Sequence, residues 1–408
     1  MSNEQGRTIG RDTASVTLGH EAARHHGALK PPIYETSTFV FESAEEGKAF
    51  FARAYGGEGG GEDDGYIYSR LDSPSLAPAE ARLAVWEDAE DALIFVSGMA
   101  AISTLLLTFL RPGDLALYSL PAYGGTTTLM SGLLSVFGVL TRPFGSGATR
   151  EDLEALAGGD RVAMVYLETP ANPTNDLFDI ELAAALADAH GARVVVDNTF
   201  LSPIWQNPLV HGADLVVHSA TKYLGGHSDL TAGAVCGGRD DIADLRRTRY
   251  QIGTTPSPGT GWLLARSLET LRLRVERQTE NATRIAGYLA DHPKVSQVSH
   301  LSLLGPDDPG YEIYRRQCHG PGAMVAFEVA GGEPEAFRLL NAMEVVRLAT
   351  SLGGTESLAS HPWTMSPPTV PEEEKRAIGV TPGLIRLSVG IEDPIDLIAD
   401  LDQALSRV

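Results

Sequence analysis

From Leu76 onward the apolar residues fall into regular spacings. In "SLAPAEARLAVWEDAED" they recur at Leu76, Ala79, Leu83 and Trp86, intervals that predict a helix. Short unbroken apolar runs follow: "RVAMVYLETP", "ARVVVDNTF", "ADLVVHSATK" and "TAGAVCGG". They are rich in β-branched residues and have no polar face, as strands covered on both sides require. Connectors such as "IELAAALADAH" between them carry helical periodicity. Strands of this kind alternating with helices predict an α/β fold with a mostly parallel sheet. After "TTPSPGTGW" the pattern changes. Residues 259–291 read as one long helix, with Pro258 just before its start. "GAMVAFEVA" and "LIRLSVGIED" then mix strands with helices in an α+β arrangement. Before residue 65 there is no strong periodicity. Pro31-Pro32 in "LKPPIYETSTFVF" forbid helix and predict an extended arm. Three parts are expected: an arm with an acidic glycine-rich loop over 1–65, a large domain over 66–258 and a C-terminal domain over 259–408. No internal repeat is visible.

The run "ALIFVSGMAAISTLLLTFL" lacks charge for nineteen residues, long enough to span a bilayer. Ser97-Gly98 divides it into a strand-like and a helix-like piece, so no membrane span is expected. Lys and Arg total 32 against 53 Asp and Glu, a net charge of −21. That balance argues against a nucleic-acid backbone or an anionic membrane as partner. The loop "GGEGGGEDDG" is too acidic to cradle phosphate and reads as a solvated insertion. Cys236 and Cys318 are far apart and form no CxxC, and the spacing of His218 and His227 fits no common metal site. A cytoplasmic location without a metal centre is expected.

In open α/β sheets ligands gather outside the carboxyl ends of the strands. Here those ends lead into "SGMAA", "ETPANPT", "DNTF" and "HSATK". Gly98 and Met99 open a helix whose free N–H groups suit a phosphate. Ser219 and Thr221 can add hydroxyls to the same phosphate. Asp197 can hold a protonated ring nitrogen, and Lys222 can form a Schiff base with an aldehyde. Phosphate, pyridinium and aldehyde together describe pyridoxal 5'-phosphate (PLP). Each residue alone has a plainer reading, as a surface charge, a turn or a helix cap. The combination carries the argument.

At these residues the chain resembles the Cys/Met-metabolism PLP-dependent enzymes. The family includes cystathionine γ-synthases, cystathionine γ-lyases, methionine γ-lyases and O-acetylhomoserine sulfhydrylases. The resemblance rests on "YSRLDSPS", "SGMAA", "YGGT", "ETPANPT", "VVVDNTF", "HSATKYLGGHSD" and "LIRLSVGIED", which follow in family order along the chain. It implies the fold type I architecture of PLP-dependent transferases, with Lys222 as Schiff-base lysine and proton shuttle. It further implies Asp197 as partner of the pyridine nitrogen, and Gly98, Met99, Ser219 and Thr221 as phosphate cradle. Tyr123 would stack on the cofactor and assist proton transfer, and Asn172 would contact its phenolic oxygen. Arg386 would clamp the substrate carboxylate, a task suited to a guanidinium. Ser351 would position Lys222 and that carboxylate. Tyr68 and Arg70 would reach the phosphate of a neighbouring subunit, so a homo-oligomer is expected, a tetramer built as a dimer of dimers.

The activity so implied is γ-elimination on a γ-substituted L-amino acid such as methionine, cystathionine or a homoserine derivative. It would pass through a ketimine and a vinylglycine-type intermediate. The alternative is γ-replacement on the same intermediate, or elimination of an unusual leaving group in a specialised pathway. Three departures bear on the substrate. Gly125 stands where methionine γ-lyases usually carry Cys. Thr350 stands where cystathionine enzymes usually carry Glu, which weakens the case for a distal ammonium. Trp363 in "HPWTMSPP" either walls the pocket or packs elsewhere. A Rossmann-type dehydrogenase is disfavoured by the lack of a GxGxxG between strand and helix. A PLP-fold protein that only binds is disfavoured by the intact set of Lys222, Asp197, Tyr123 and Arg386.

Overall fold

The structure, a computed structural model, describes residues 9–56, 65–366 and 371–408. Most of the acidic loop and the two prolines closing "HPWTMSPP" lie outside the described residues. Seven strands form the first sheet: β1 (Asp91–Phe95), β2 (Leu115–Ser119), β3 (Leu140–Phe144), β4 (Val162–Glu168), β5 (Arg193–Asp197), β6 (Leu215–His218) and β7 (Gly233–Gly237). Their order is β1-β7-β6-β5-β4-β2-β3, and β7 alone runs against the others. The β-branched runs form its central strands because both faces are covered. Leu93, Tyr166, Val195 and Val217 pack under the helices Gly98–Phe109 and Arg239–Ile252. Val165, Val194 and Val196 on the opposite face meet the helix Ile180–His190.

Five further strands form a second sheet: β8 (Val295–Ser299), β9 (Met324–Val329), β10 (Arg347–Leu348), β11 (Leu358–Ser360) and β12 (Leu384–Ser388). Their order is β10-β11-β12-β9-β8. Only the β10–β11 pair is parallel. The helices Leu271–Ala290, Glu333–Ala342 and Pro394–Leu405 pack on this sheet and on one another.

The single helix expected over 259–291 is two helices, Pro258–Leu268 and Leu271–Ala290. Ser257 caps the first, accepting the Thr260 N–H, with Pro258 at the first helical position. The break has a tertiary cause. The Ser267 carbonyl accepts from the Thr270 N–H at 3.2 Å and from the Arg274 guanidinium at 2.9 Å, so it is withdrawn from the regular ladder. Arg274 also donates to the Tyr223 carbonyl at 2.8 Å, one residue beyond Lys222. The long helix thereby braces the segment that holds the lysine.

The uncharged run is divided at Ser97-Gly98 into β1 and the helix Gly98–Phe109. Among the described residues, no helix is long and apolar enough to cross a membrane, and no cluster of three metal-ligating side chains occurs.

Candidate active site

Because β1, β2, β4, β5 and β6 point the same way, their carboxyl ends share one edge of the sheet. The residues after them converge there. β1 runs into Ser97, whose hydroxyl accepts the Ala100 N–H at 3.0 Å and caps the helix Gly98–Phe109. The first N–H groups of that helix have no carbonyl a turn earlier to bond. A Cβ on Gly98 would stand 2.9 Å from both Cβ and Oγ of Ser219, so the helix start seats directly against Ser219. Among the described residues the Ser219 hydroxyl makes no hydrogen bond, and it remains available to a ligand. Thr221 differs. Its hydroxyl donates to the Ala232 carbonyl at 3.1 Å and accepts the Ala232 N–H at 3.0 Å. A phosphate oxygen would compete with that carbonyl for the hydroxyl proton.

β5 ends in Asp197, which is buried. Thr199 donates both its N–H and its hydroxyl to Oδ1, while Oδ2 has only a long 3.4 Å contact from the Tyr166 hydroxyl. One oxygen is therefore fixed and the other remains open to a cation. Burial raises the Asp197 pKa, and the bonds from Thr199 and the nearby His218 restrain the rise. A cationic ring nitrogen would complete its neutralisation. His218, at the end of β6, bonds the buried Glu87 at 2.5 Å, and Asn198 donates to the same oxygen.

Lys222 follows β6 by four residues. Its Nζ donates to the Ser351 hydroxyl at 2.8 Å. Burial, aided by the charge of Arg386, lowers its pKa to about 8, so the amine loses its proton readily. Ser351 is brought in by a strained loop. Its own φ is +92°, and Gly353 at φ +76° lies so close to the lysine segment that a Cβ would stand 2.6 Å from the Tyr223 nitrogen. Only glycine fits there. Thr350, the neighbouring residue, has an exposed side chain.

Arg386 on β12 reaches the same place from the second sheet. It donates to Asn172 Oδ1 at 2.8 Å and to the Ser351 carbonyl at 3.0 Å, and its Nε is buried without a partner. Burial lowers its pKa to about 10, so the guanidinium stays charged at neutral pH. Tyr123 is half exposed, its ring beside Gly125. Among the described residues, no hydrogen bond joins Tyr68 or Arg70 to this group. Arg70 donates to the Tyr250 carbonyl and lies over the Tyr68 ring, which is 43% exposed.

Three residues gain meaning only in three dimensions. Glu168, the last residue of β4, accepts the Tyr123 N–H at 2.7 Å and the Asn172 N–H at 3.0 Å. It lies inside the quoted "ETPANPT", yet nothing in the sequence singled it out, because its partners are backbone groups. Gly125 has a steric role. A Cβ there would stand 2.6 Å from the Tyr123 ring and 2.9 Å from Met99 Sδ. Trp363 packs on Ala326, Val380 and Leu384, with Lys375 and Arg376 against its ring. Ala326 is the cross-strand partner of Arg386, so Trp363 lies on the Arg386 face of the second sheet.

The donor set fits a phosphorylated, cationic heteroaromatic aldehyde. A glycine-lined helix start beside a free hydroxyl can take the phosphate. A half-occupied buried carboxylate can take the ring nitrogen, and a readily neutralised amine can take the aldehyde.

Comparison with known proteins agrees. A sequence model of the family described as "Cys/Met metabolism PLP-dependent enzyme" matches residues 12–406. The L-methionine gamma-lyase of Pseudomonas deceptionensis is 42% identical, covering 100% of both chains. A cystathionine gamma-synthase of Mycobacterium bovis is 39% identical over 97% of each chain. The crystal structure of cystathionine gamma synthase from Xanthomonas oryzae pv. oryzae, in complex with aminoacrylate and cysteine, superposes with a TM-score of 0.88. It is 36% identical, covering 98% of this chain and 99% of that one. The chain therefore belongs to the Cys/Met-metabolism PLP-dependent enzymes, with pyridoxal 5'-phosphate as its cofactor.

Proposed function

We propose that this enzyme catalyses γ-elimination on a γ-substituted L-amino acid with an uncharged distal end, methionine being the simplest case. One observation carries the reading: the Lys222 amine, lowered to about 8, is held 2.8 Å from Ser351 within the same contact chain as Arg386. A proton acceptor and a carboxylate clamp are thus set side by side. Bound pyridoxal 5'-phosphate supplies the aldehyde that captures the substrate amine and the electron-withdrawing ring that acidifies adjacent C–H bonds. Lys222 then carries protons between the substrate carbons, which it can do as a neutral amine. Asp197 Oδ2 holds the proton at the ring nitrogen. Gly98, Met99 and Ser219 hold the phosphate, joined by Thr221 once its hydroxyl leaves Ala232. Asn172 would contact the phenolic oxygen, and Tyr123 would stack on the ring.

Arg386 presents its unpartnered Nε–H to the substrate carboxylate. The uncharged Thr350 supports a substrate without a distal ammonium, as do the L-methionine gamma-lyases among the relatives. The cystathionine gamma-synthases among them support γ-replacement as the second reading. Tyr68 and Arg70, without a hydrogen bond to their own site among the described residues, support a homo-oligomer in which they reach a neighbour's phosphate. The exposed Leu133, Val136 and Phe137 offer apolar area for such contacts. Two cysteines free of disulfide suit the cytoplasm.

The test is 2-oxoacid release from L-methionine, L-cystathionine, O-acetyl- and O-succinyl-L-homoserine and a γ-halogenated amino acid, each with and without thiol. Release of 2-oxobutyrate from methionine without thiol is expected. Oxoacid only from the esters, replaced by thioether when thiol is added, would establish γ-replacement instead.

A further inference from the structure

Two loops bring Tyr123 and Asn172 to the site, one after β2 and one after β4. A single carboxylate ties them together. Glu168 Oε2 accepts the Tyr123 N–H and Oε1 the Asn172 N–H, at 2.7 and 3.0 Å. The path continues from Asn172 Oδ1 to Arg386, from Arg386 to the Ser351 carbonyl, and from the Ser351 hydroxyl to Lys222 Nζ. The backbone under Tyr123 is thus joined to the lysine amine through four side chains. Glu168 is 3% exposed, a costly place for a charge. A group with two acceptors and no donor is what two facing N–H groups need, and only a carboxylate provides it.

We propose that Glu168 is a positioning residue of the reaction, fixing Tyr123 and the Asn172–Arg386 clamp at a set separation through its two carboxylate oxygens. The proposal rests on the site reading given above. Tyr166, two residues earlier on β4, and Asp197 on the neighbouring β5 face Glu168, and Arg386 faces it from β12. Its own N–H is taken by Ser119. Burial, with Asp197 adding to it, pushes the Glu168 carboxyl up to about 8. The doubly anchored form therefore gains as pH rises through that region.

The experiment compares wild-type holoenzyme with Glu168→Gln and Glu168→Asp. The glutamine keeps one acceptor and sets its NH2 against the other N–H. Expected for Glu168→Gln are normal cofactor loading, a weaker visible circular-dichroism band of the lysine-bound cofactor, and a higher KM. The kcat per loaded site falls about tenfold to a hundredfold, the scale of a small misplacement. The acid limb of its kcat profile loses one of its two groups, the Lys222 amine remaining. Glu168→Asp, which keeps the charge but shortens the reach, restores that limb without restoring kcat. Unchanged kcat, KM and acid limb in both variants overturn the proposal, as does a lowered Tm with those three intact. If Glu168→Gln does not fold, Glu168→Asp alone decides on the dichroism band and kcat. A Lys222→Ala protein that keeps the wild-type visible band would instead overturn the site reading, whatever the Glu168 variants do.

Discussion

Lys222 holds its proton weakly. Burial first, and Arg386 second, lower its pKa from 10.5 to about 8. Between those values the unfolded chain carries the proton and the cofactor-free fold does not. Stability therefore rises with pH across that window, and below it the fold bears a penalty of up to about 3 kcal/mol. Cofactor-free Lys222→Met is expected to melt above wild type at pH 7, with the gap closing toward pH 10. Melting curves across that range check it, and a gap independent of pH would contradict the assignment. Gly125 permits a second test. In Gly125→Cys the new Cβ must displace the Tyr123 ring or Met99. A fall in kcat/KM of about tenfold is expected, read by steady-state kinetics with a crystal structure to locate the ring. Lys222 and Asp197 stood out in the sequence because a lone charged residue follows or ends an apolar strand, whereas Arg386, in the middle of β12, was marked only by the family resemblance. Glu168 was not, because a side chain that bonds backbone N–H groups leaves no complementary residue to notice. Trp363 could not be placed either, since its partners Ala326, Val380 and Leu384 lie on other elements.

At the scale of elements, the strands were legible because burial on both faces leaves a continuous apolar run. The helix break near Thr270 was not. "RSLETLRLRVERQ" contains neither Gly nor Pro, and its periodicity continues unbroken. The interruption is imposed by Arg274, which takes the carbonyls of Ser267 and Tyr223. Burial lowers the Arg274 pKa to about 10, which still leaves it charged at neutral pH. Arg274→Met would leave the Tyr223 carbonyl without its donor, and the Ser267 carbonyl with Thr270 alone, while keeping most of the side-chain volume. A loss of about 2–4 kcal/mol is expected, measured as a lower denaturant midpoint. Cofactor affinity should fall with it, because Tyr223 adjoins Lys222.

At the scale of the whole molecule, the decisive question is whether one chain makes a complete site. If Arg70 serves a neighbour, two separately inactive variants should complement each other. Lys222→Ala mixed one to one with Arg70→Ala, dissociated and reassembled, gives mixed dimers with one intact site of two. Random pairing then predicts recovery of about a quarter of wild-type activity, since half of the dimers are mixed. No recovery, with mixed dimers demonstrated, would place Arg70 in its own chain's site.

β7 carries a consequence for how the protein is made. β1 joins the sheet only through β7, with Asp91 opposite Gly237. On the ribosome, β1 emerges well before its only neighbour in the sheet has been translated. The helix that follows it, whose start lies against Ser219, is in the same position. Contacts so distant in sequence form late. β1 and that helix must remain uncommitted, with apolar surface open to chaperones, until more than half of the chain has been synthesised. Cofactor capture is therefore a late event in the life of each new polypeptide.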